Sequence, residues 1–163
     1  MSLVDHIKGG YALADMIQQS YLGDLEDADL LRRPTEGANH IAWQLGHLAV
    51  AENGMINQVC PDSMPPLPED FQEKYTKETS ALDGAENFHT KEEYLKVLAE
   101  QRAGTVAALE KLSEEELAKP APEKLQRIGS DVAAIFGMQS AHVLMHVGQW
   151  VIVRRQLGKP ALF

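Results

Sequence analysis

Four stretches of this chain repeat apolar residues at the three- and four-residue spacing of one helix face, and nowhere do apolar and polar residues alternate as in a half-buried strand. That pattern confines the chain to an all-α fold. Leu3, Ile7, Leu13, Ile17 and Tyr21 mark a first helix over residues 3–22, although Gly9 and Gly10 each cost ~1 kcal/mol there relative to alanine. Asn39 suits the N-cap of a second helix that runs from His40 to about Val59 and stops at Cys60-Pro61. Thr90-Lys91-Glu92-Glu93 has capping-box form and opens a third helix, carried on by Tyr94, Leu95, Leu98, Val106, Leu109 and Leu112. Ser113-Glu114-Glu115-Glu116 begins a short helical turn that Pro120 and Pro122 end. A fourth helix opens at Ser130-Asp131 and reaches Gln156 or Leu157, where Gly158 supplies the C′ residue and Pro160 forbids continuation.

Four amphipathic helices bury their apolar faces most economically as a four-helix bundle, and 163 residues are enough for a single domain spanning 1–163. The connections before the second helix and before the fourth predict antiparallel neighbours for helices one and two and for three and four. Residues 61–89, with Pro61, Pro65, Pro66, Pro68 and Gly84, read as a long irregular connection able to cross the length of the bundle. An up-down-down-up order follows.

Fifteen Lys and Arg against twenty-four Asp and Glu leave a net charge of −9, with no basic run, which argues against nucleic-acid partners and an anionic membrane surface. Cys60 is the single cysteine, so neither an intramolecular disulfide nor a cysteine-cluster metal site is available. The first residues lack the basic and apolar regions of a signal peptide, and the apolar stretch over residues 143–153 is broken by His146, Gln149 and then Arg154-Arg155. A cytoplasmic protein with no membrane span is expected.

Chemistry is carried by the histidines. On a helix, His142 and His146 project within ~40° of each other, from the face that also carries Ile135 and Val153. Two neutral imidazoles on an apolar face need partners, and either core hydrogen bonds or a shared divalent cation can supply them. The pair is no zincin motif, because Val143 stands where His-Glu-x-x-His places its general base. A di-iron bundle is equally poor, since the one Glu-x-x-His, at Glu86 and His89, falls in the long connection. His47 is a candidate third ligand, yet it lies ~120° from the centre of the strongest stripe of helix two, formed by Ile41, Leu45, Leu48, Met55 and Val59. Periodicity leaves its direction open. Glu52 falls inside that stripe, as a partly solvated carboxylate or as a base beside a metal. Gln149, one turn beyond His146, is a candidate for the same site.

Asn39-His40-Ile41-Ala42-Trp43-Gln44-Leu45-Gly46-His47-Leu48, taken with His142-Val143-Leu144-Met145-His146-Val147-Gly148-Gln149, resembles the DinB-like (YfiT-like) superfamily of metal-binding four-helix bundles. The ending Gly158-Lys159-Pro160 followed by Phe163 is similar as well. The resemblance implies that His47, His142 and His146 hold a divalent metal, with His47 turned inward, and it leaves His6, His40 and His89 as surface or capping residues. Among activities it implies thiol-dependent S-transfer or isomerisation, although many members have no known reaction, and it does not imply DNA binding.

A mononuclear metalloenzyme is therefore the leading expectation, because three neutral nitrogen ligands leave a coordination position open, as in catalytic zinc sites. Zinc and nickel both suit imidazole ligands. The chain offers no second thiol, so a low-molecular-weight thiol would act as the cofactor on a small-molecule substrate. Hydrolysis through activated water, with Glu52 as base, is the alternative chemistry. A non-catalytic metal-binding or stress module and a metal-free structural bundle are the alternatives from other classes. Trp43, Val50 and Gly54 form a second apolar face on helix two, from which a homodimer is expected.

Overall fold

The computed structural model describes residues 2–162, so Phe163, part of the family-like ending, lies outside the described residues. Four long helices dominate it: α1 (Leu3–Leu22), α2 (Ile41–Val59), α3 (Lys91–Leu109) and α4 (Val132–Gln156). No strand forms among the described residues. A single antiparallel bridge, from Ala121 N to Ser130 O and from Val132 N to Lys119 O, closes the connection before α4.

The helix ends follow local chemistry. Ser2, Thr90 and Asp131 cap α1, α3 and α4, each side-chain oxygen accepting from a backbone N–H in the first turn. Gly158, at φ 72°, lets Gly158 N donate to Arg155 O and Lys159 N to Arg154 O, which satisfies the last carbonyls of α4. The N-cap of α2 is His40 and not Asn39: its Nδ1 accepts from Trp43 N at 3.0 Å. An imidazole nitrogen lone pair does here what an asparagine oxygen usually does. The third helix ends at Leu109, short of Leu112.

Contacts along the helices fix their directions. Tyr11 donates to Phe136 O at the start of α1 and α4, while Arg154 bonds Tyr21 O and pairs with Asp24 at their ends, so these helices run parallel. Tyr94 and Val97 share a core cluster with Leu45, Leu48 and Ala49, while Leu109 shares one with Ile56, so α2 and α3 are also parallel. Gln44 meets Trp150 while Gln139 meets Met55, which makes α2 and α4 antiparallel. The order is up-down-down-up. The expected neighbours are corrected, however: α1 packs on α4, α2 packs between α4 and α3, and the sequential pairs α1–α2 and α3–α4 lie across the bundle from each other. Residues 23–40 and 110–131 are long enough, at up to ~3.5 Å per residue, to reach diagonally. Gly10 assists the α1–α4 contact, because a Cβ there would stand 3.3 Å from Ser140 Oγ.

The long connection is ordered around polar anchors and short helical turns, Phe71–Lys74, Thr79–Ala81 and Ala85–Asn87. It covers Trp43, which is buried and donates through Nε1 to Thr76 O and Thr79 Oγ1. Of the second apolar face of α2, Val50 also packs against the main core and Gly54 is left exposed. Of the three histidines read as surface or capping residues, His40 does cap α2, yet it and His89 are packed inside. His40 is fully buried, with Nε2 donating to Leu82 O, and half-buried His89 sits among Phe71, Tyr75 and Tyr94 with Nδ1 bonded to Tyr75 OH. His6 is exposed.

Two glycines of α2 have opposite surroundings. A Cβ at Gly46 would overlap the Tyr75 ring, and that ring cannot step aside while its hydroxyl is held by His89 and Tyr94. A Cβ at Gly54 meets nothing within 4 Å. Gly46→Ala is therefore expected to destabilise by ~1–3 kcal/mol through overpacking, whereas Gly54→Ala stabilises by up to ~1 kcal/mol through helix propensity. Urea unfolding of both variants checks the opposite signs.

Candidate metal centre

His47 on α2 meets His142 and His146 on α4 across the antiparallel seam, all three half-buried. Their candidate ligand atoms lie within 4.8 Å of one another. The His142 and His146 Nε2 atoms are 3.1 Å apart. Two nitrogens each ~2.05 Å from one ion in a tetrahedral shell stand ~3.3 Å apart, so the pair fits a single divalent cation. The donors are borderline-soft imidazoles with no carboxylate among them, which suits zinc or nickel better than calcium or magnesium. His47 sits at the seam, off the main apolar stripe of α2, in the direction that periodicity left open.

The tautomer of His146 follows from the residue beside it. Gln44 is fully buried, and its Oε1 accepts from Trp150 Nε1 at 2.8 Å, a group that can only donate. The same oxygen lies 3.0 Å from His146 Nδ1, so Nδ1 must carry its proton and the Nε2 lone pair faces the cluster. Trp43 fixes the third ring: it stacks on His47 with centroids 4.9 Å apart and planes 8° from parallel. Trp43 is itself held by the long connection, so that connection orients a candidate ligand.

Burial and mutual repulsion keep these rings neutral. The pKa of His142 is lowered to about 4 and that of His146 to about 3, in both cases first by desolvation and then by neighbouring imidazoles, and burial also lowers that of His47. Neutral nitrogen is the form that binds a cation, so few protons compete at neutral pH.

Glu52 belongs elsewhere. Five residues after His47, it is turned ~140° round α2, where its Oε1 accepts from Thr105 Oγ1 at 2.6 Å and stands 3.0 Å from Arg102 Nη1. The structure therefore separates it from the histidines and removes its candidacy as their base. Gln149 is exposed and bonds no histidine; its Oε1 accepts from Gln44 Nε2 at 3.0 Å, which leaves it one hydrogen bond removed from His146. Cys60 ends α2 half-buried against the second apolar cluster. Sequence reasoning passed over Gln44 and Trp43 as supporting residues. The available signal was a glutamine in a helix segment apolar on nearly every side.

Over residues 13–150 the sequence matches the family model of the DinB superfamily. The chain belongs to that superfamily. Comparison with curated proteins and with solved structures gives no match. Membership in the DinB superfamily and the three-histidine cluster agree in pointing to a divalent-metal site, on a chain whose described helices include none long and apolar enough to cross a membrane.

The depressed histidine pKa values predict acid sensitivity. Below the unfolded value near ~6.5, the unfolded chain takes up protons that His142 and His146 in the folded chain refuse until about 4 and about 3, so stability falls as pH drops through that window. Asp15 and Glu52, whose pKa values burial raises, pull in the opposite direction. The histidine share is isolated by urea unfolding in chelator at pH 7 and pH 5, where His142→Asn/His146→Gln is expected to lose less stability than the parent chain.

Proposed function

We propose that this DinB superfamily member is a mononuclear metal-dependent enzyme in which His47, His142 and His146 hold zinc or nickel and a low-molecular-weight thiol is transferred to a small electrophile. The observation that carries the reading is the convergence of three neutral imidazoles, one with its tautomer fixed by Gln44 and one with its ring plane fixed by Trp43. A divalent cation there supplies positive charge that favours the deprotonated form of a thiol or water at a free coordination position.

The chain's own residues favour the thiol. No Asp or Glu joins the cluster among the described residues, so water, a weaker acid than a thiol, would have no carboxylate beside it to take its proton. A thiol near ~8.5 needs far less help. Gln44 holds His146 in the metal-binding tautomer and anchors Gln149 through its own amide. Exposed Gln149 keeps its Nε2 free to donate to an oxygen of the substrate. The face of α2 around Val50 and Gly54 is proposed to contact a second copy. Light scattering tests this: a mass near 18.0 kDa at micromolar concentration marks a monomer and overturns the dimer.

Protein purified without a nickel column is expected to carry one equivalent of zinc or nickel, and His142→Ala or His146→Ala to carry none. A double variant that keeps one equivalent would sink the ligand assignment. Gln44→Met, which removes the acceptor from His146 Nδ1, is expected to weaken metal binding by about 10–100-fold. Metal-loaded protein incubated with a panel of thiols and electrophiles should consume both together. Equal turnover without thiol would mean hydrolysis, and no turnover across the panel would mean a binding module.

A further inference from the structure

The fourth side of the bundle is open. α1 and α3 make little contact, and between them lies a cleft of about 460 Å³, within the size range of small-molecule sites. Its room comes from α3, which presents Ala99, Ala103 and Ala107 at successive turns where larger side chains would close the gap. Leu95 and Leu98 of α3 and Val143 of α4 supply an apolar wall. No histidine lines it, and α2 carries its contribution, Glu52, on a different face from His47.

The floor of this cleft is short of hydrogen-bond acceptors. Arg102 and Gln18 both line it, and three of their nitrogens, Arg102 Nε and Nη1 and Gln18 Nε2, are buried without a hydrogen-bond partner among the described residues. Carboxylates stand near the guanidinium, with Glu52 Oε1 at 3.0 Å from Nη1 and Asp15 Oδ1 at 3.4 Å from Nε, yet neither approach closes a hydrogen bond. Glu52 Oε1 instead accepts from Thr105 Oγ1 at 2.6 Å. Gln18 is only 6% exposed, too deep for bulk water to satisfy its amide. A buried N–H without an acceptor is unfavourable, so the floor gains from any oxygen that reaches it. The last torsion of a glutamine side chain is soft, and Nε2 can swing to such an oxygen while the backbone of α1 stays in place.

We propose that this cleft binds a small neutral molecule with a carbonyl oxygen at one end of an apolar body, the oxygen accepting from Gln18 and Arg102 and the body lying along Leu95, Leu98 and Val143. Charge is selected against in both directions. A carboxylate head would add negative charge where two carboxylates already face one guanidinium, in a chain whose net charge is −9. An ammonium head would bring further N–H groups to a floor that lacks acceptors for its own. A carbonyl oxygen offers two lone pairs and no proton, which is what the floor is missing. This inference is independent of the metal-site reading.

The test is isothermal titration of the full chain with 2-octanone, octylammonium and octanoate in chelator. Saturable binding of 2-octanone is expected, roughly tenfold or more tighter than either charged probe of the same length. Gln18→Met keeps the length of the side chain and removes its N–H groups. It should lower the affinity for 2-octanone about tenfold, the ratio that one hydrogen bond supplies, and leave the free chain at least as stable as the parent, because this amide nitrogen has no partner to lose. Ala103→Leu, at an exposed position, should abolish binding by filling the cleft, and retained thermal unfolding confirms its fold. His142→Asn/His146→Gln should bind 2-octanone within twofold of the parent, whatever becomes of metal binding. The proposal is overturned by absence of saturable binding in the millimolar range, by a charged probe that binds as tightly as the ketone, by unchanged affinity in Gln18→Met or Ala103→Leu, or by loss of binding in the histidine variant.

Discussion

A buried amide with every hydrogen-bonding position used holds the α2–α4 seam in register. Gln44 Oε1 accepts from Trp150 and His146, while its Nε2 donates to Asn39 O and Gln149 Oε1. Burying a primary amide is unfavourable when any of these is missing, since an unsatisfied buried polar group costs ~1–3 kcal/mol, so α2 and α4 settle where all four bonds are made. Shifting either helix by one residue would rotate the partner groups ~100° away. The placement of His142 and His146 against His47 is a consequence of this register. The cluster is thus positioned by polar specificity laid over an apolar seam that, by itself, would tolerate several alignments.

The long connection completes what the seam begins. Arg33 donates to Ala38 O, Ser80 O and Leu82 O, and His40 donates to Leu82 O, so the segment is tied to the start of α2 by charge-assisted and buried hydrogen bonds. From that anchorage it holds Trp43 by its indole N–H and, through Tyr75, packs on Gly46. Those two positions precede His47 by about one helical turn and by one residue. A segment without regular structure therefore acts as a clamp on the α2 side of the cluster, as Gln44 does on the α4 side.

What could be read from the sequence divides along a physical line. Helix periodicity, capping boxes and the terminal glycine are local, and they located α1 to α4 and the Ser113 turn; the length of the 61–89 connection also implied the helix order. The neighbours were misjudged because residues 23–40 and 110–131, though they look like simple connections, are long enough to span a diagonal, which only packing decides. The His142–His146 pair was legible from its spacing. The direction of His47 was not, because α2 is apolar on both its core and seam faces, and only resemblance to a family pointed it inward. Glu52 misled for the converse reason: a carboxylate within an apolar stripe suggests chemistry, while its actual partners, Arg102 and Thr105, come from α3, more than forty residues away.

The geometry of α2 separates two kinds of electrostatic environment within one helix diameter. On the seam side, desolvation and mutual repulsion keep three imidazoles neutral, a state that awaits a cation. On the side turned toward α3, desolvation raises the pKa of Glu52 while Arg102 opposes it, and the charge is shared among groups from three helices. Gathering both in one site would have put a carboxylate beside the imidazoles, raising their pKa values and lowering the net charge of any cation bound there. Keeping Glu52 ~140° round the helix preserves a purely neutral donor set, for which an ion retains its full positive charge toward whatever occupies its remaining position. The same separation leaves α1 and α3 standing apart, with the Arg102–Asp15 ion pair crossing their gap.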